Sequence, residues 1–522
     1  MKIRIGSGAL AAAGCGLGFL AIVAFLAVAR AAADAPSTSD TAVIESYTRF
    51  ASEGRLTVGA YSRFQWHHPG PLPFYLLAPF YVLSGERTAG LHAGAAALSL
   101  ISLALACAVL LRRRSVVSIP IFILLGLLSV RAADALVSPW NPHVPSIPLA
   151  ALIVVAADAI AGAAWMLPVV AALASLAGQA HIALFPCVVS IGGIAVARAI
   201  AGTTGEQGRR WRGALAVTGL VLAVLWAVPL YEQVSGLPRG NLTELWRFFA
   251  EEPRSGQPFS TALSAWSDML VGPLRPDFYV AHGWPFEESR VRWAEALSVL
   301  AVAVTCGFAI RVSRAGRQFD AALGGVAVVA SLVALWSATR VEERIFDHDV
   351  FWIAAVGVIL LGAACGFVLS ALTGLTLAPR LARIAAFGVV LLLGFASSLG
   401  ALRSVQRASH TPSNEARIAR AVADDLQAYL DAQRIRRPVI RIDQDAWGVA
   451  AGAILDLQKR GYDVAVEEDW VVMFTPQCRH LDSDDGWVTV AAPAEHLRLT
   501  DRGAPLVSAH EPIFVHADPA AP

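Results

Sequence analysis

The chain has 522 residues, 56% of them hydrophobic and 16% charged, a composition outside the range of soluble globular domains and one that makes lipid its main solvent. With 41 basic against 40 acidic residues the net charge is +1, so whole-chain electrostatics give no footprint for nucleic acid. Cys15, Cys107, Cys187, Cys306 and Cys365 fall in apolar runs and only Cys478 in a clearly polar one, so no disulfide framework follows.

In chain order, the apolar stretch Ala9 to Val28 comes first. Basic residues before it and A-x-A-like sites after it also fit a secretory signal. Its length, close to the ~20 residues that cross a bilayer, and the many apolar runs that follow favour a retained first helix. Spans are predicted near 8–32, 89–111, 116–134, 144–162, 164–180, 182–202, 214–230, 294–311, 319–338, 351–373 and 383–402, about eleven in all. The clusters Arg112 to Arg114, Arg209 to Arg212, Arg311 to Arg317 and Arg380 to Arg383 fall on the same side as Lys2 and Arg4, which makes that side cytoplasmic. The long polar segments, about 33–88, 231–293, 339–350 and everything after about 403, then lie on the extracytoplasmic side.

After the last span, ARIARAVADDLQAYLDAQ reads as an amphipathic helix. The patterns RPVIRID, AWGVAAGAILDLQKRG, YDVAVEED and DWVVMFT then alternate strand, helix and strand, giving a small α/β domain that opens with a βαβ unit. The division is therefore a transmembrane domain over 1–402 and an extracytoplasmic α/β domain over 403–522.

Asp40 stands just beyond the first span, where a carboxylate either serves chemistry at the membrane surface or caps the helix that follows it. Gln65-Trp66-His67-His68-Pro69-Gly70-Pro71 breaks regular structure ahead of a short aromatic run. Its two histidines are suited to hydrogen-bonding a phosphate oxyanion, or simply to anchoring a turn at the interface.

With Asp40, I-x-S-Y, the S-E-G-R-L turn and the H-P-G-P-L-P-F-Y block in place, the first loop resembles that of GT-C glycosyltransferases, in particular the lipid A aminoarabinose transferases and protein O-mannosyltransferases. The motif-level match covers about 40–85, and the topological one the whole membrane part. Thr41 stands where the family often has Glu, and His68 where it has another basic residue. The resemblance implies a GT-C-like α-helical polytopic membrane fold with a small C-terminal extracytoplasmic α/β domain. It further implies transfer of a sugar from a polyprenyl-phosphate donor, with Asp40 as general base and His67, His68, Arg340 and Arg344 against the donor phosphate.

Further residues read as cavity lining: Trp140, Asn141 and His143 at one turn, Gln179 and His181 near another, and Asp347 and His348 in a late loop. Each also has a plain reading, as interface aromatic, helix stop or solvated ion pair. The aromatics Trp246, Phe248, Phe249, Trp266 and Trp284 fit sugar stacking and bilayer contact equally. The spacing of Asp347 and Asp349 permits a divalent cation, Mg or Mn, although the reaction requires no cofactor. The expected partners are the lipid-linked donor, membrane lipid and a glycan, lipid or protein acceptor, in the cell membrane. The competing class is a transporter, flippase or polymerase of lipid-linked saccharides, against which stands the scarcity of mid-span charges.

Overall fold

The computed structural model describes residues 37–113, 115, 117–204, 208–236, 239–251, 255–275, 278, 292–373, 413–481 and 486–518. It begins with α1 (Ser39–Ser52) and α2 (Leu72–Leu83). Pro73 lies in the first turn of α2, where a missing N–H costs nothing, and the 12 residues of α2 are too few to cross a bilayer.

A run of mostly apolar helices follows: α3 (Thr88–Arg113), α4 (Ser118–Arg131), α5 (Ser146–Ile160), α6 (Leu167–Ala180), α7 (Phe185–Ala201), α8 (Gly208–Leu225), α9 (Ala227–Ser235), the short polar α10 (Asn241–Trp246), α11 (Phe259–Leu270), α12 (Arg292–Arg314), α13 (Gln318–Thr339), the short acidic α14 (Asp347–Val350) and α15 (Ile353–Thr373). Among the described residues five helices are long and apolar enough to cross a membrane, and α8 with α9, bent by 47°, make a sixth if they form one span. The predicted spans 8–32 and 383–402 lie outside the described residues. Those at 116–134, 144–162 and 164–180 form helices of 14, 15 and 14 residues. At 1.5 Å per residue these reach only about 21–22 Å, short of a ~30 Å hydrocarbon core. α5 shows why they are nevertheless apolar throughout: Ser146 to Ala159 are all buried, enclosed by α6, α7, α13 and α15.

Helix α11 departs from the expectation that 231–293 is one long loop outside the bundle. Ala262, Ala265, Trp266 and Met269 form a stripe at i, i+3, i+4 and i+7 and join the main core. Trp266 Nε1 donates to the Ser331 carbonyl of α13 at 2.9 Å, and a Cβ on Gly357 of α15 would sit 2.0 Å from the Leu270 carbonyl oxygen. Two of the arginines that indicate orientation, Arg112 and Arg113, also close an ion pair on Asp158, which is fully buried.

The tail opens with α16 (Asn414–Gln433), the expected amphipathic helix. Ala416, Ala419, Val422, Ala423, Leu426 and Leu430 line its buried face, and Ser413 caps it by accepting from Ala416 N. β1 (Pro438–Ile442), α17 (Trp447–Lys459) and β2 (Ala465–Val466) form the expected parallel βαβ unit. The next apolar run, inside DWVVMFT, is helical over Val471–Phe474 rather than extended. β3 (Gly486–Ala491), α18 (Pro493–Asp501), β4 (Leu506–His510) and β5 (Ile513–Asp518) complete a sheet of order β2-β1-β3-β5-β4.

The described residues group into two compact units. One lies within Ala95–Ser404, and the other joins Leu26–Gly94 to Val405–Pro522. The first loop thus folds with the tail.

Candidate functional site

Asp40 owes its position to the start of α1. Thr38 is extended and makes no side-chain cap bond, so neither Ser39 nor Asp40 occupies the N-cap position. Ser39 is held at φ 51°, a left-handed conformation that a non-glycine residue adopts only where its surroundings impose it. The surroundings include Gly448 of α17, where a Cβ would lie 2.5 Å from Ser39 Oγ. Asp40 follows in the first helical turn, half-buried, where the amide dipoles favour a carboxylate.

A short hairpin then returns the chain to this carboxylate. Tyr61 and His67 form an antiparallel bridge, Ser62 N donates to the Trp66 carbonyl at 2.8 Å, and His68 N donates to the Ala60 carbonyl at 2.8 Å. Gly59 permits the closure, because a Cβ there would stand 2.3 Å from the His68 carbonyl oxygen. The hairpin delivers the Tyr61 hydroxyl to Asp40 Oδ1 at 2.5 Å. Burial, then the charge of Asp40, pushes the Tyr61 phenol well above its ordinary range, so it remains the donor of this bond.

The adjacent histidines divide in role. His67 is buried and its Nε2 lies 2.9 Å from the Val472 carbonyl, which also accepts from Tyr47 OH at 3.2 Å. Burial pushes the His67 imidazole down to about 4, which leaves it neutral near pH 7. His68 is buried too, with its ring edge-on to Trp66 at 5.3 Å.

On the other flank of α1, Glu45 is fully buried. It accepts from Ser37 Oγ at 2.6 Å and Thr88 Oγ1 at 2.7 Å, and forms an ion pair with Lys459 of α17. Ser46 Oγ donates to Gln458 at 2.8 Å, and a Cβ on Gly452 would sit 2.6 Å from the Ser37 carbonyl oxygen. Sequence reasoning missed Glu45, Tyr61 and Lys459. The one available signal was the rarity of lysine, since Lys2 and Lys459 are the only two.

In the other unit three segments far apart in sequence meet. Trp140 stacks edge-on to His143 at 5.1 Å and lies 4.8 Å from His348, and His143 meets Phe351 at 5.3 Å. His181 is buried, and its Nδ1 accepts from Ala183 N at 3.3 Å. Asn141 Nδ2 donates to the Ala180 carbonyl at 3.3 Å, and Gln179 Nε2 donates to the Leu225 carbonyl at 2.8 Å. Asp347 opens α14 beside His348, while Asp349 accepts from Phe346 N at 3.0 Å. Arg340 and Arg344 are exposed on the loop between α13 and α14. Sequence reasoning also missed the buried Asp268–Arg275 ion pair at the end of α11. Among the described residues no three His, Cys, Asp or Glu side chains converge as a metal site.

No family model and no curated protein sequence matches the chain. The solved structures that match its fold include two of one protein. ArnT from Cupriavidus metallidurans in the apo state covers 97% of this chain and 98% of its own, at 13% identity and a TM-score of 0.54. The same protein bound to undecaprenyl phosphate covers 96% and 98%, at 13% identity and a TM-score of 0.53. ArnT is a lipid A aminoarabinose transferase of the GT-C superfamily, so this chain has the fold that its first-loop motif implied.

Proposed function

We propose that the chain is a multi-pass membrane glycosyltransferase that moves a sugar from a polyprenyl-phosphate donor to an acceptor hydroxyl of a glycan, lipid or protein on the extracytoplasmic side. The observation that carries this reading is the Asp40 carboxylate, set at the start of α1 by a strained residue and held by Tyr61, at the motif position of the GT-C base in an ArnT-like fold. The acceptor hydroxyl gives its proton to Asp40, and its oxygen forms the bond to the anomeric carbon. The anomeric C–O bond breaks, and its electron pair leaves with the polyprenyl phosphate. A single displacement inverts the anomeric centre.

Charge developing on the leaving phosphate calls for fixed donors. The exposed guanidiniums of Arg340 and Arg344 suit that task by their planar donor geometry. His67, neutral and engaged with Val472, supports the hairpin rather than supplying charge, and His68 remains a hydrogen-bonding candidate. The reading of Trp140, Asn141, His143, Gln179, His181, Asp347 and His348 as lining of the substrate cavity rests on their chemistry and their clustering within one unit.

The test uses full-length protein in lipid nanodiscs with polyprenyl-phosphate sugars. Asp40→Asn is expected to lower transfer by about 10²–10⁴-fold, the range for loss of a general base, with the fold retained. Transfer by Asp40→Asn at the wild-type rate would refute the base assignment. Solute uptake driven by an ion gradient, with no transfer from any lipid-linked donor, would refute the class.

A further inference from the structure

The tail sheet has one apolar face and one mixed face, on which Val439, Thr489 and His516 are buried and Arg441 and Trp487 are partly exposed. Ile440, Ile442, Val488, Val490 and Val515 alternate onto the apolar face and are buried. On the other, register places Arg441 of β1, Thr489 of β3 and His516 of β5 in one cross-strand row, with Val439 and Trp487 in the row beside it.

Trp487 is half-buried, with the Arg441 guanidinium 5.1 Å from its ring centroid and the His480 ring edge-on at 4.9 Å. Arg441 Nε donates to Glu467 Oε1 at 3.2 Å, and both side chains keep 36% of their exposure. Between Arg441 and His516 the Thr489 hydroxyl oxygen is buried and makes no hydrogen bond among the described residues. A buried hydroxyl in that state lacks the partner that folding normally supplies.

Arg441 and Thr489 lie in the carboxyl-terminal halves of the parallel strands β1 and β3 and Glu467 just past β2, while Trp487 lies near the amino end of β3 and is met there by the Arg441 guanidinium. β1 pairs with β2 on one side and β3 on the other, and such a switch of direction is where open α/β sheets bind ligands. The same edge carries Asp443, Asp445, Glu467, Glu468 and Asp469, all at least partly exposed. That much negative charge disfavours a phosphate or carboxylate ligand. Carboxylates accept from hydroxyls, a guanidinium donates to them, and an indole packs against an apolar ring face.

We infer that this face of the tail domain, built on Arg441, Glu467, Trp487 and Thr489, binds an uncharged sugar ring of a glycan. The start of α17 beside this edge carries Gly448, whose close approach to Ser39 ties it to the strand-proximal end of α1, where Asp40 sits. The bound glycan then serves as the acceptor, a role that rests on the transferase reading, whereas the binding itself does not.

Calorimetry on the full-length protein in nanodiscs, without any lipid-linked donor, tests the site with neutral methyl glycosides and oligosaccharides as probes and with glucuronate and inorganic phosphate as competitors. Saturable binding of a neutral saccharide is expected, lost in Trp487→Ala and weakened about tenfold in Thr489→Val, the size of one lost hydrogen bond. Asp40→Asn is expected to bind as wild type while failing to transfer, which separates this inference from the transferase reading. Circular dichroism and gel filtration check folding, and Thr489→Val, which keeps the side-chain volume, decides if Trp487→Ala misfolds. The inference is overturned if no neutral saccharide binds the wild type, if Thr489→Val binds with wild-type affinity, or if phosphate competes.

Discussion

At the scale of single residues, the pairing of Asp40 with Tyr61 separates orientation from proton transfer. Tyr61→Phe keeps the ring and removes the donor at Asp40 Oδ1, so kcat is expected to fall about tenfold or more with KM little changed, because on the proposed reading the lost contact orients the base rather than binds substrate. Steady-state transfer kinetics check this, and a rise in KM alone would point to a binding role. His67 offers a pH test. Its folded pKa, about 4, lies below the ordinary 6.5, so the folded state binds fewer protons than the unfolded chain between those values. Above pH 6.5 the group contributes no pH dependence; as pH falls from there toward 4 it destabilises the fold, by a total of about 3 kcal/mol. Thermal unfolding of wild type and His67→Gln between pH 7 and pH 4 is expected to show a steeper acid loss in the wild type, and parallel curves would contradict it. Asp40 was singled out because a motif marks it. Tyr61 was not, since its contact depends on a hairpin and a spacing that matches no helical or strand period.

At the scale of elements, α1 is fixed to α17 by polar groups that no local pattern advertises. Glu45 is buried within an apolar helix face, and its ion pair with Lys459 spans the whole bundle in sequence. Removing one partner leaves the other charge uncompensated, a loss of about 3 kcal/mol for pairs of this kind, somewhat less here because the Lys459 side chain keeps 20% exposure. Lys459→Met is therefore expected to lower the unfolding midpoint clearly, and Glu45→Gln with Lys459→Met to cost less than the two single changes summed. Calorimetric scans of the four proteins measure the coupling, and strict additivity would show that the pair is not coupled. Most of the bundle helices and the βαβ unit were legible from periodicity, whereas α11 was not. The run Val471–Phe474 was not, because a short apolar stretch satisfies strand and helix templates alike.

At the scale of the whole molecule, the apolar bundle could be read from hydropathy, but the grouping of the first loop with the tail could not. The contacts that make it, such as Ser46 with Gln458 and Tyr47 with the Val472 carbonyl, join residues more than 400 positions apart, and no pattern within either segment encodes them. The consequence is that the tail is a structural partner of the loop that carries Asp40. A chain ending at Arg403 keeps the bundle helices, whose buried faces pack on one another, but strips α1 of Lys459, Gln458 and the Val472 carbonyl and leaves Glu45 buried without its cation. In that truncated protein the segment from Ser39 to His68 is expected to open, exposing Arg49 to trypsin, while the full-length chain resists cleavage at Arg49 inside α1. Limited proteolysis followed by mass spectrometry reads the sites directly. Transfer activity should vanish with the tail even though Asp40 remains, because the proposed base would no longer be held in place. Equal protection of Arg49 in the two proteins would show instead that α1 stands without the tail.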